Sequence, residues 1–233
     1  MRPQDDFVYF CFLDILGYRA HLKKDIETTS LNFKDKLEQA SQIYSQINSA
    51  NYAIKSISDS IFIHSSSVKI SDFLKTVKKI YNHYLQTGLL IRGGISYSRH
   101  FETNIITYSL ALTEAHHLES EKAVNPRVVI SKTILDAVRN AELSNPQQQY
   151  FTELVSENLI MKEGDEYILH VIDDSNLKDF YRSARKIYQD NEADINTSAN
   201  LRSKYRWLED YIMISKPSDV RLDRFTSKMT LLT

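Results

Sequence analysis

Asp14 and Asp59 are the residues of this 233-residue chain whose setting asks for chemistry. Asp14 follows Phe7-Val8-Tyr9-Phe10-Cys11-Phe12-Leu13, a run of apolar and aromatic residues that reads as a strand buried on both faces. An acid there costs on the order of several kcal/mol unless a cation or hydrogen-bond donors meet it. Asp59 stands in Ser58-Asp59-Ser60, between the apolar stretches Tyr52 to Ile57 and Ile61 to His64, and so in the tight turn of a hairpin. With strand and hairpin as neighbours, the two carboxylates converge at one sheet edge. Two acids without an accompanying His or Cys suit Mg²⁺ or Mn²⁺ better than zinc, and such ions fill their shells with water and phosphate oxygens. Gly17 turns the chain after Asp14, which would aim the backbone N–H groups of Leu16, Gly17 and Tyr18 at a polyphosphate. A capped turn is the plain alternative for Asp59.

The elements that must position these acids follow from periodicity. Tyr18 to Ile47 reads as helical, broken near Thr28-Thr29-Ser30. A second helix runs from Ser71, as its N-cap, to a stop at Gly88. Leu89 to Tyr97 reads as a strand whose Gly93-Gly94 pair marks close approach of another segment. Arg99 to Asn104 reads as a loop, Ser109 to Lys122 as a helix and Pro126 to Ile130 as a strand, with a helix capped by Ser131 next. Asn145 to Gln149 is linker-like and divides residues 1–145, a catalytic domain, from 146–233, an appendage. In the latter, Phe151 to Val155 and Tyr167 to Ile172 read as a hairpin around Glu163-Gly164-Asp165, and helices follow from Leu177. Trp207 and its tyrosines read as core or dimer contact. The order predicts an α+β fold, a mostly antiparallel sheet covered by helices.

Composition narrows the setting. With 29 basic and 30 acidic residues, no overall field favours nucleic acid or an anionic membrane. The single cysteine, Cys11, reads as a small buried hydrophobe in a reducing compartment. Arg2 to Asp6 lack the character of a leader, and no run reaches the length of a membrane span. The expectation is a soluble, cytoplasmic protein.

Phe12-Leu13-Asp14-Ile15-Leu16-Gly17-Tyr18 resembles the first metal motif of class III nucleotidyl cyclases, and Lys55-Ser56-Ile57-Ser58-Asp59-Ser60 their hairpin motif. Arg92-Gly93-Gly94-Ile95 resembles their following strand. Ala111 to Glu119, Pro126 to Ile130 and Lys204 to Leu208 are similar to a bacterial branch, the pyrimidine cyclases of Pycsar antiphage systems. The resemblance covers nearly the whole chain, through short motifs that keep their order and spacing.

The resemblance implies a ferredoxin-like cyclase core and conversion of a nucleoside triphosphate, UTP or CTP, to a 3′,5′-cyclic monophosphate and pyrophosphate. It implies two divalent metal ions, Mn²⁺ or Mg²⁺, held by Asp14, Asp59 and the Ile15 carbonyl. Lys55 matches a base-contacting position. It further implies a homodimer with composite sites, the segment from Thr113 to His117 facing the partner's acids, and a product read by a separate effector protein. Departures stand beside this. Ser58 and Ser98 replace glycines. Thr113 and His117 stand where purine enzymes have an Asn and an Arg that steady ribose and transition state, and Ile106 stands at the base-selecting acid. Arg92, Arg99, His100 and His117 are then the candidates to meet transition-state charge. Arg92 reads equally well as a structural ion-pair residue, and Glu119 and Arg127 as fold contacts. The alternatives are a purine cyclase, a catalytically silent nucleotide-binding domain and a structural dimerisation module.

Overall fold

The computed structural model describes residues 6–226. The leader expectation, which rests on Arg2 to Asp6, therefore lies mostly outside the described residues. The chain runs β1 (Asp6–Ile15), α1 (Tyr18–Thr28), α2 (Asn32–Ser41), a 3₁₀ turn (Gln42–Gln46), β2 (Ala53–Ile57), β3 (Ser60–Ser65), α3 (Ile70–Gln86), β4 (Ile91–Glu102) and β5 (Thr107–Ser109). It continues through α4 (Leu110–His117), a π turn (Leu118–Lys122), β6 (Val128–Ile130), α5 (Lys132–Ser144), α6 (Tyr150–Ser156), β7 (Ile160–Glu163) and β8 (Glu166–Leu169). It ends in α7 (Leu177–Asp190), α8 (Glu192–Thr197) and α9 (Ala199–Ser215).

The fold is α+β, as the element order predicts. One mixed sheet has the order β2-β3-β1-β4-β6-β8-β7, with β5 added to the far end of β4. Every pairing is antiparallel except β4 with β6. β1 lies inside the sheet between β3 and β4, which is why its sequence is apolar on both faces. Cys11, Leu13 and Ile15 join the main core, in which α3 buries Phe73, Leu74, Val77, Ile80, Tyr81 and Tyr84. Val8, Phe10 and Phe12 face the other way and pack under Ala111 and Ala115 of α4. Gly94 makes that contact possible, since a Cβ there would run into the Ala115 carbonyl and the Leu118 Cβ. Gly93 likewise admits the backbone of β1.

Four local expectations are corrected. Phe151 to Val155 is helix rather than strand. The Glu142 carboxylate of α5 accepts the N–H groups of Phe151 and Thr152, at 2.9 and 3.0 Å, and so caps α6 from outside. The hairpin at Gly164 is instead made by β7 and β8. Arg99 to Glu102 is strand rather than loop, because β5 returns to pair with it. α3 starts at Ile70 with Lys69 at its N-cap, while the buried Ser71 donates to Glu153 at 2.7 Å. Beyond Asn145 to Gln149, α6 packs on α5 and β8 joins the sheet beside β6. Trp207 packs against the core, stacked on Tyr211 with centroids 5.3 Å apart, and donates to Glu163. Arg127 is paired with Glu163. Among the described residues no helix is long and apolar enough to cross a membrane.

Candidate active site

Register brings the two acids together. Asp14 of β1 stands opposite Ser60 on β3 and Arg92 on β4. Asp59 is the residue before Ser60, and its carbonyl accepts the Ile15 N–H at 3.0 Å, which ties the β2–β3 turn to the end of β1. Ser58 holds the turn at φ 58°, a left-handed conformation that glycine adopts without strain.

The surroundings are charged. Arg92 Nε lies 3.5 Å from Asp14 Oδ2, its Nη1 donates to the Ala123 carbonyl at 3.3 Å, and its Nη2 lies 2.5 Å from Glu119 Oε1. Burial raises the Asp14 pKa; Arg92 pulls it down and Asp59 pushes it up, with a net rise. Glu119 behaves the same way, raised by burial, lowered by Arg92 and raised again by Asp14. Lys204 of α9 faces the group from the far end of the chain, its pKa lowered by burial and by Arg92 and raised by Asp14. At both carboxylates the Arg92 guanidinium offsets the effect of burial only in part. An all-oxygen donor set of this kind is the chemistry that a hard divalent cation takes. Glu119 and Lys204 were not among the candidates read from sequence; a buried acid in a helical stretch and a lysine in a motif remote from Asp14 give no signal of convergence.

The other candidates are placed unevenly. The Leu16 N–H is taken by the Leu90 carbonyl at 2.9 Å and so is withdrawn from any anion. Gly17, at φ 77°, starts α1, and neither its amide nor that of Tyr18 has an acceptor among the described residues. Lys55 is paired with Glu102. Arg99 lies seven residues from Arg92 along β4, about 23 Å away, with its guanidinium 5.8 Å above the Phe7 ring. Thr113 and His117 are exposed on α4, and Thr113 Oγ1 donates to the Ser109 carbonyl. His100 is buried against Ser109, and His116 sets its ring edge on Phe12. Within one chain, therefore, Arg92 joins the two acids and Arg99 does not. A cleft of 570 Å³ lies on the α3 side, but Lys75 and Lys78 there are paired with Glu157 and Asp173.

No sequence-family pattern matches the chain, and no curated protein matches it. Solved structures of similar fold include the adenylyl cyclase CyaB of P. aeruginosa, at 15% identity over 73% of this chain and 97% of that one, with a TM-score of 0.47. They also include the monomeric guanylyl cyclase domain of a RhoGC fusion protein from the aquatic fungus Blastocladiella emersonii, at 13% identity, 71% and 95% coverage and a TM-score of 0.45. A bacterial light-regulated adenylyl cyclase matches at 13% identity, 79% and 100% coverage and a TM-score of 0.45.

Proposed function

We propose that the chain is a nucleotide cyclase that converts a nucleoside triphosphate to its 3′,5′-cyclic monophosphate and pyrophosphate. The observation that carries this is the convergence of Asp14 and Asp59 at one sheet end, locked by the Ile15–Asp59 backbone hydrogen bond. Divalent ions bound there would lower the pKa of the ribose 3′-hydroxyl and draw charge off the β- and γ-phosphates. The 3′-oxygen forms its bond to the α-phosphorus as the bond to the pyrophosphate oxygen breaks, and the hydroxyl proton leaves to solvent. Asp14, Asp59 and the Ile15 carbonyl would hold the ions, and the Gly17 and Tyr18 amides would meet phosphate oxygens. Arg92 and Lys204 supply positive charge beside the carboxylates. Thr113 and His117 face outward on α4, which suits a homodimer in which each chain completes the other's site.

For the base we favour a pyrimidine, uracil before cytosine. Lys55 is retained while Thr113, His117 and Ile106 replace the groups of purine enzymes, and the Lys55 ammonium is paired with Glu102. The product then serves as an alarm in antiphage defence, read by a separate effector. The test is incubation of the purified chain with each of the four NTPs and Mn²⁺. Cyclic UMP or CMP is the expected product; a cyclic purine product would refute the base assignment, and no product at all the cyclase reading.

A further inference from the structure

His64, His100 and Glu102 form a second cluster, away from the carboxylates. His64 stands opposite Phe10 on β1, four residues from Asp14, about 13 Å along the strand. One ligand atom from each of the three lies within 4.8 Å of the others. The two imidazole Nε2 atoms are buried, and neither has a hydrogen-bond partner among the described residues. Both instead face one carboxylate oxygen, with Glu102 Oε2 3.4 Å from His64 Nε2 and 3.7 Å from His100 Nε2. His100 itself is only 7% exposed.

The groups behind these atoms position them. Ser109 Oγ, which accepts the Leu112 N–H, lies 2.8 Å from His100 Nδ1, and in the tautomer whose Nδ1–H donates to it the Nε2 lone pair is turned inward. Lys55 and Thr107 both bond Glu102 Oε1 and leave Oε2 to the histidines. Phe10 stacks on His64 and tilts against His100, which closes the floor of the cluster.

We infer that His64 Nε2, His100 Nε2 and Glu102 Oε2 form a binding site for a divalent transition-metal ion, Zn²⁺ best, that ties β3 to the β4–β5 hairpin. The spacing supports it. Ligand atoms about 2.0–2.1 Å from a tetrahedral zinc lie about 3.3 Å apart, close to the 3.4 and 3.7 Å separations here. Two imidazoles and one carboxylate are a zinc-type donor set, unlike the all-oxygen site at Asp14. Burial lowers the pKa of both histidines, against the Glu102 carboxylate, which raises it. Three protein ligands leave a fourth position open to water. The site stands independently of the cyclase reading.

The experiment uses the tag-free full chain, stripped with a chelator and equilibrated with Zn²⁺ or Co²⁺. Expected are one tightly bound equivalent of Zn²⁺ that Mg²⁺ does not displace, a higher Tm, and the intense visible absorption of tetrahedral Co²⁺. His64→Asn and Glu102→Gln should each weaken Zn²⁺ binding at least about 100-fold, beyond what loss of an outer-shell partner costs. The Asp14→Asn/Asp59→Asn and His116→Ala/His117→Ala variants should bind as the parent does. Wild-type protein that retains no zinc and shows no tetrahedral Co²⁺ spectrum would overturn the site, whatever the variants do. So would undiminished binding by a folded His64→Asn/Glu102→Gln variant.

Discussion

Arg92 bridges Asp14 and Glu119, one acid opposite it on the neighbouring strand and the other in the turn after α4. The Glu119 side chain is only 4% exposed, so its charge depends on that guanidinium. Arg92→Leu should cost on the order of 3 kcal/mol, the scale of breaking a buried pair. Urea unfolding measures it, and Arg92→Leu/Glu119→Gln should recover most of the loss. Equal destabilisation in single and double variants would mean that Arg92 acts through packing.

The raised pKa values of Asp14 and Glu119 have a signed consequence. Their folded values lie above the ordinary 3.8 and 4.5, so the stability they contribute is full below those values and is lost as pH rises through the folded ones. The metal-free Tm should therefore lose this contribution as carboxylates ionise, and the Tm increase given by Mn²⁺ should grow with pH over the same window. Asp14→Asn should keep or raise the metal-free Tm while abolishing the Mn²⁺ response and turnover. A Mn²⁺ response unchanged in Asp14→Asn contradicts the ligand assignment.

Ser58 spends its turn in the left-handed region. Ser58→Gly should relieve that strain and, after the entropy cost of glycine, stabilise the chain by about 0.5–1 kcal/mol. A lower denaturant midpoint would show that the Ser58 side chain makes a compensating contact.

Gly94→Ala tests the seating of α4. The added methyl meets a backbone carbonyl, which cannot swing aside as a side chain would. A loss of at least about 2 kcal/mol is expected, together with a change in near-UV circular dichroism as Phe10, Phe12 and His116 shift.

His170 is buried and accepts or donates at 2.9 Å to the Tyr211 hydroxyl, which in turn accepts the Val171 N–H. Burial, helped by Lys78, lowers its pKa from 6.5 to about 4. A depressed base binds its proton more readily unfolded, so stability is full above 6.5 and falls as pH drops toward 4. His170→Gln should flatten this acid limb by on the order of 2 kcal/mol. An unchanged slope would assign the limb to other groups.

The sheet-forming part of the fold was legible where periodicity and turn chemistry agree. β1, the hairpin at Ser58-Asp59 and the amphipathic α3 follow from local pattern, and Asp14 stood out because its neighbours are apolar. α6 was not legible, since Phe-Thr-Glu-Leu-Val suits either period and its cap comes from Glu142 on another helix. The end of β4 was hidden because its polar residues become strand only once β5 pairs with them. At the site, Glu119 and Lys204 could not be read, because a tertiary charge contact leaves no trace in spacing. The pairing of Lys55 with Glu102 was hidden for the same reason.

Lys204 sits near the end of the described chain and Asp14 near its beginning, yet each acts on the other's proton affinity. On a ribosome that contact waits until α9 has emerged, long after the strand and hairpin that hold the two acids. A nascent chain stalled before α9 would carry both carboxylates without the lysine that faces them. The charge arrangement thus forms only once α9 has closed on β1, so it couples the first strand to a helix made much later.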